Sequence, residues 1–156
     1  MTFLRIAATR EEAHEAITEA YGAAKALLQD GRRVRVVVEQ DYAPMTVRQR
    51  RFLHGPVIRQ ISEQARSAGT RYTRAVWKEH LREELLGSVW VAAPDGSALE
   101  VRVSSEQLNV KDYSDYIDRV IAYAATDLGV CFELDQRERE AVRYREPTIN
   151  KEKATC

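Results

Sequence analysis

Cysteine is almost missing: Cys131 and Cys156 are the only two in 156 residues. One lies among apolar neighbours and the other is the last residue, a poor basis for a disulfide framework. The expectation is a buried small hydrophobe plus a tail thiol. Long apolar runs are also missing; none approaches the ~20 residues that a membrane span needs. Met1 to Ala8, with Arg5 inside it, is too short and too charged for a signal peptide. The protein is therefore expected to be intracellular. His14, His54 and His80 are scattered, with no i, i+4 pair and no cysteine nearby. That spacing excludes the usual zinc motifs, and no cofactor is expected. The seven glycines are isolated, so no phosphate-cradling loop is present. Ser62 and Ser114 lack any nucleophile-elbow context.

What the chain does have is charge, unevenly placed. Between Pro44 and Arg82 the basic residues are Arg48, Arg50, Arg51, Arg59, Arg66, Arg71, Arg74, Lys78 and Arg82. Only Glu63 and Glu79 oppose them, nine against two, or +7. The whole chain carries 24 of each sign, so the remainder is 15 against 22, or −7. A pI of about 6.8 conceals this polarity. A local cationic field beside aromatic side chains suits a phosphate backbone as partner. With 44% hydrophobic residues there is also enough apolar material for a core.

The length predicts one domain, residues 1–146, followed by a disordered tail over 147–156. Phe3 to Ala7 reads as a short strand. Thr9 opens a capping box with Glu12 at N3, and a helix follows with Ala13, Ala16, Ile17, Ala20, Ala24, Leu27 and Leu28 on one face up to Gly31. Arg33 to Gln40, rich in valine, reads as the next strand. Strand, helix, strand predicts a parallel pair with a right-handed crossover.

Thr46 starts a second capping box with Gln49 at N3. Phe52, Leu53, Val57, Ile61, Ala65 and Ala68 then share a face, with a kink or restart expected at Gly55-Pro56. Another helix spans about Thr73 to Leu86 with Val76, Trp77, Leu81 and Leu85 inward. Val89 to Ala93 and Ala98 to Val103 predict a hairpin around Pro94-Asp95-Gly96-Ser97. Asn109 caps a long helix whose apolar stripe is Tyr113, Tyr116, Ile117, Val120, Ile121 and Ala124. Val130 to Phe132 reads as a short extended segment, and Asp135 to Tyr144 as a charged helix. The fold class is α+β: a strand-helix-strand N-terminal unit, central helices, one β-hairpin and a long C-terminal helix.

Arg48, Arg50 and Arg51 fall in the first turns of a helix, and Arg48 and Arg51 point in similar directions. Free amide donors and a partial positive charge at that helix start favour an anion. Arginine offers a planar fork for phosphate oxygens. Phe52 and Trp77 lie on apolar stripes and read as core. Tyr72 precedes a helix and is the best candidate for stacking on an exposed base.

Three blocks together resemble the phage NinB (Orf) family of recombination proteins. The first, Met45-Thr46-Val47-Arg48-Gln49-Arg50-Arg51-Phe52-Leu53-His54, is similar to the family's Ser/Thr-x-x-Gln-Asn-x-x-aromatic helix start. The second, Tyr72-Thr73-Arg74-Ala75-Val76-Trp77-Lys78, resembles its short helix carrying Trp-Lys. The third begins Ser104-Ser105-Glu106-Gln107-Leu108-Asn109 and runs through Ile117 and Ile121 to Leu128-Gly129-Val130.

The resemblance implies a non-enzymatic recombination mediator in the cytoplasm of a bacterial host. Its partners would be single-stranded DNA and the host single-strand-binding protein, and it would be a homodimer. Gln49 corresponds to the family's glutamine, and Arg50 stands where asparagine is common. Gln107 and Asn109 stand where basic side chains are expected in relatives. DNA contact is therefore expected at Arg48, Gln49, Arg50, Arg51, Arg71, Tyr72, Arg74 and Lys78. The dimer surface is expected on the long helix with Tyr113, Tyr116 and Tyr123, or on the hairpin. A rival reading is a magnesium-dependent nuclease using Asp112, Asp115 and Asp118. A further rival is an adaptor whose arginines meet an acidic protein tail.

Overall fold

The computed structural model describes residues 3–147. The class is α+β, as expected, and the chain forms two compact units that divide between Asp41 and Tyr42. Among the described residues no helix is long and apolar enough to cross a membrane.

The first unit is built on helix α1, Arg10–Gln29. The Thr9 hydroxyl accepts the Glu12 N–H and the Glu12 carboxylate accepts the Thr9 N–H, the capping box read from the sequence. No residue of α1 is fully buried. Ala13, Ala16, Ala20, Ala23, Ala24 and Leu27 are half-covered, while Ile17 and Tyr21 are exposed. The two flanking strands do not form. Among the described residues neither 3–7 nor 33–40 forms a strand, and Val36, Val37 and Val38 stay exposed. A β-branched run makes a strand only when another strand satisfies its backbone groups. The β-propensity of 33–40 is met by no such strand within this unit.

The second unit holds the core. Helix α2, Val47–Phe52, passes into a π-helical turn at Leu53–Val57 and resumes as α3, Ile58–Gln64. Pro56 lies inside that wide turn. A π-bulge is the local answer to a missing N–H and a ring that clashes one turn back. The helix axis survives, so Phe52, Leu53, Val57, Ile58, Ile61 and Ala65 all reach the core. Ala68 does not join them: α3 ends at Gln64, and Ala68 and Gly69 both take positive φ in a tight turn bridged by Ser67 and Thr70.

Helix α4, Arg74–Leu86, is capped by Thr73 and stops at Gly87, whose φ of 68° and ψ of −150° suit glycine alone. Trp77 and Leu81 are buried and Leu85 partly so, whereas Val76 is exposed. Strands β1, Ser88–Ala92, and β2, Ala98–Arg102, pair antiparallel with Trp90 opposite Glu100. Every residue of these two strands is exposed. A 3-10 turn at Ser105–Gln107 leads to α5, Val110–Thr126. All six residues of its expected stripe are buried. Helix α6, Gln136–Val142, closes the order with Asp135 as cap. The expected tail lies, beyond Pro147, outside the described residues.

Residues 131–133 are extended without belonging to a sheet. Two glutamines of α3 serve as their ladder. Gln64 Oε1 accepts the Cys131 N–H at 2.9 Å and its Nε2 donates to the Cys131 carbonyl at 3.1 Å. Gln60 does the same for Glu133, both at 2.8 Å. Four residues of helix advance about 6 Å and two residues of strand about 6.6 Å, so the two amides match alternate peptide units. Cys131 is exposed, contrary to the buried position expected of it. Its backbone serves the pairing, and it is Val130 beside it that enters the core.

Candidate nucleic-acid interface

Helix α2 turns one side inward, and that side carries Gln49. Gln49 is 1% exposed. Its Oε1 accepts the Thr46 N–H at 2.9 Å, and its Nε2 donates to the carbonyls of Val110 at 2.9 Å and Val142 at 3.0 Å. One side chain thus ties the start of α2 to the start of α5 and the end of α6. Expected among the DNA contacts, Gln49 presents almost no surface, and its amide is spent on the core. The sequence shows only half of this, the capping box, because the other two partners lie 61 and 93 residues away.

The arginines flank that buried side. Arg48 and Arg51 line an open depression of about 490 Å³ with Phe52, Pro56, Asp135 and Glu138. Arg48 grips Glu138 with both arms of its fork, at 2.6 and 3.2 Å. The pair holds the Glu138 carboxyl below the usual carboxylate range and raises Arg48. Arg51 has no ion pair among the described residues.

Arg50 leaves the other flank of α2. It meets Glu106 at 3.5 Å, and Lys78 of α4 meets the same carboxylate at 3.9 Å. The half-buried His54 ring sits in the field of all three. Desolvation lowers its pKa most, and Lys78 lowers it further. Its Nε2 is buried without a partner. So is the hydroxyl of Tyr113, a residue with no exposed surface. Desolvation raises Tyr113 most, and Glu106 adds to the rise.

Arg66 and Arg71 flank the turn at residues 67–70 in sequence. Both are exposed. Tyr72 is 38% exposed and stands edge-on to Trp77, ring centres 6.1 Å apart. Trp77 and Phe52 are core, as their stripes indicate. Among the described residues Arg51, Arg59, Arg66, Arg71 and Arg74 have no carboxylate partner, whereas Arg48, Arg50, Lys78 and Arg82 do. The expected contacts therefore differ in how far carboxylates of the described chain engage them. Arg48 and Arg51 share one depression; Arg50 and Lys78 share one carboxylate.

The three aspartates of α5 are engaged separately. Asp112 accepts from Asn109, Asp115 from Lys111, and Asp118 lies 3.9 Å from Arg143. Among the described residues no group of three His, Cys, Asp or Glu could hold a metal ion. The Tyr113 and Tyr116 face of α5 is used up in its own core. Of the two surfaces expected for dimerisation, only the hairpin remains uncovered. Val89, Trp90, Val91, Leu99 and Val101 are all exposed on it, Trp90 by 69%.

The model of the NinB family, described as NinB protein, matches residues 2–133. No curated protein matches the chain. A solved structure described as a structural-genomics NinB is 20% identical, over 91% of this chain and 94% of that one, with a TM-score of 0.43.

Proposed function

The chain belongs to the NinB protein family, and on that premise we propose that it binds single-stranded DNA as a recombination mediator. The observation that carries this reading is the set of exposed arginines in 44–82 that no carboxylate of the described chain neutralises. Arginine forks on phosphates position a strand without reading its bases. Tyr72 adds a partly open ring on which any base can stack. The mediator role fits such binding, because phosphate contacts weaken steeply with salt and release the strand readily. The host single-strand-binding protein is the proposed protein partner.

A homodimer is part of the proposal, with the hairpin as its contact. A two-stranded hairpin is marginal by itself in water, and this one exposes apolar side chains on both faces. A twofold contact would use the same hairpin on each protomer.

The test replaces Arg51, Arg71 and Arg74, three of the unpaired arginines, by Glu and follows a fluorescent oligonucleotide by anisotropy. Affinity should fall by at least about tenfold at moderate salt, with thermal melting nearly unchanged. Unchanged affinity rejects this surface.

A further inference from the structure

Glu106 is placed unlike the other acidic groups that meet the basic segment. It stands on the short 3-10 turn before α5. It faces two cations from two different helices, Arg50 of α2 at 3.5 Å and Lys78 of α4 at 3.9 Å. Both distances are loose. Charge-assisted hydrogen bonds settle at ~2.7–2.9 Å, and the Arg48–Glu138 pair at 2.6 Å does so on the other flank. Neither contact of Glu106 qualifies as a hydrogen bond, so the carboxylate sits between the cations without locking to either. It is also accessible, with 36% of its side chain exposed.

Two polar atoms within its electrostatic reach are buried without partners, His54 Nε2 and Tyr113 Oη. Glu106 and Arg50 act on both of these groups electrostatically. Buried polar atoms are nearly always paired, and each exception calls for a reason. Here two exceptions occur beside one loosely held anion.

We infer that Arg50, Lys78 and His54 form a phosphate-binding subsite, and that Glu106 occupies it in the free protein as a built-in stand-in for the phosphate. A phosphodiester spaces its two non-bridging oxygens more widely than a carboxylate does and, as a mobile ligand, can meet a guanidinium and an ammonium at full hydrogen-bond distance. An arriving phosphodiester displaces Glu106, which swings to solvent from an already accessible position. The exchange trades one singly charged anion for another beside the two cations. Glu106 therefore lowers affinity and favours release of the strand. This inference rests on the proposed function for its natural ligand, a strand phosphodiester, while the subsite itself is defined by phosphate chemistry.

The experiment uses the full chain and two probes, a fluorescent oligothymidylate and inorganic phosphate. Glu106→Gln should tighten oligothymidylate binding about three- to tenfold and make the dependence on log salt steeper by about 0.7, the value of one more uncompensated positive charge meeting a single strand. Lys78→Gln should then cost more affinity in the Glu106→Gln background than in the wild type, since only there is the ammonium unopposed. A Glu63→Gln control should change neither quantity. Wild-type binding to DNA with unchanged affinity and slope in Glu106→Gln overturns the inference and leaves the proposed function standing. If neither protein binds DNA, the proposed function falls, and inorganic phosphate decides the subsite. Phosphate must then shift the His54 ring resonances at lower concentration in Glu106→Gln than in wild type. Equal titrations in the two proteins overturn it.

Discussion

Replacing Gln49 by Leu separates two roles that look alike from the sequence. The substitution keeps the volume and removes three hydrogen bonds, to Thr46 N–H, Val110 O and Val142 O. Each such bond contributes about 1 kcal/mol net, and a buried carbonyl left alone costs somewhat more than that. The Val142 contact is the buried one, so its loss is the largest of the three. The expected destabilisation is about 3 kcal/mol in total. For a chain of this size that lowers the melting temperature by roughly 6–12 °C. Urea titration gives the free energy and calorimetry the melting temperature. DNA affinity, corrected for the folded fraction, should equal that of the wild type, because the amide never reaches the surface. A variant that melts with the wild type but loses DNA binding refutes the assignment of Gln49 to the core.

Two further outcomes follow from burial and exposure. Desolvation pushes Tyr116 up to about 12 and Tyr113 upward as well, from an unfolded value near ~10. A raised folded value stabilises fully below the unfolded one and is lost as pH rises through the folded one. Alkaline unfolding should therefore begin above pH ~10 and be accompanied by tyrosinate absorbance; ionisation of both rings without loss of helical circular dichroism contradicts their burial. On the proposed homodimer, Trp90→Glu on the hairpin should leave the melting of the α2–α5 core nearly unchanged and shift the protein towards monomer in sedimentation; a variant that sediments as the wild type does removes the hairpin from the proposed interface.

The helices were readable because their causes are local. Thr9, Thr46, Thr73 and Asn109 each accept the backbone N–H three residues on, and those three residues are visible in the chain. The stripe of α5 repeats at helical spacing, and its six members are all buried. Gly55-Pro56 marked a disturbance, though whether it would bend the helix or widen one turn depends on what the helix packs against. The N-terminal strands failed for the opposite reason. Residues 33–40 have the composition of a strand, but a strand is made by its partner, and composition does not name one.

The function of individual side chains divides in the same way. The surplus of positive charge over residues 44–82 is a property of the sequence, as is the family to which the chain belongs. Which of those charges remain open was decided in three dimensions. Glu138 comes from 90 residues away to cover Arg48, and Glu106 stands between Arg50 and Lys78. Gln49 and the two glutamines of α3 are polar in the sequence and structural in the fold. Local spacing governs hydrogen bonds that close within one turn; a charge or an amide that can reach across the molecule takes its role from whatever tertiary packing brings beside it.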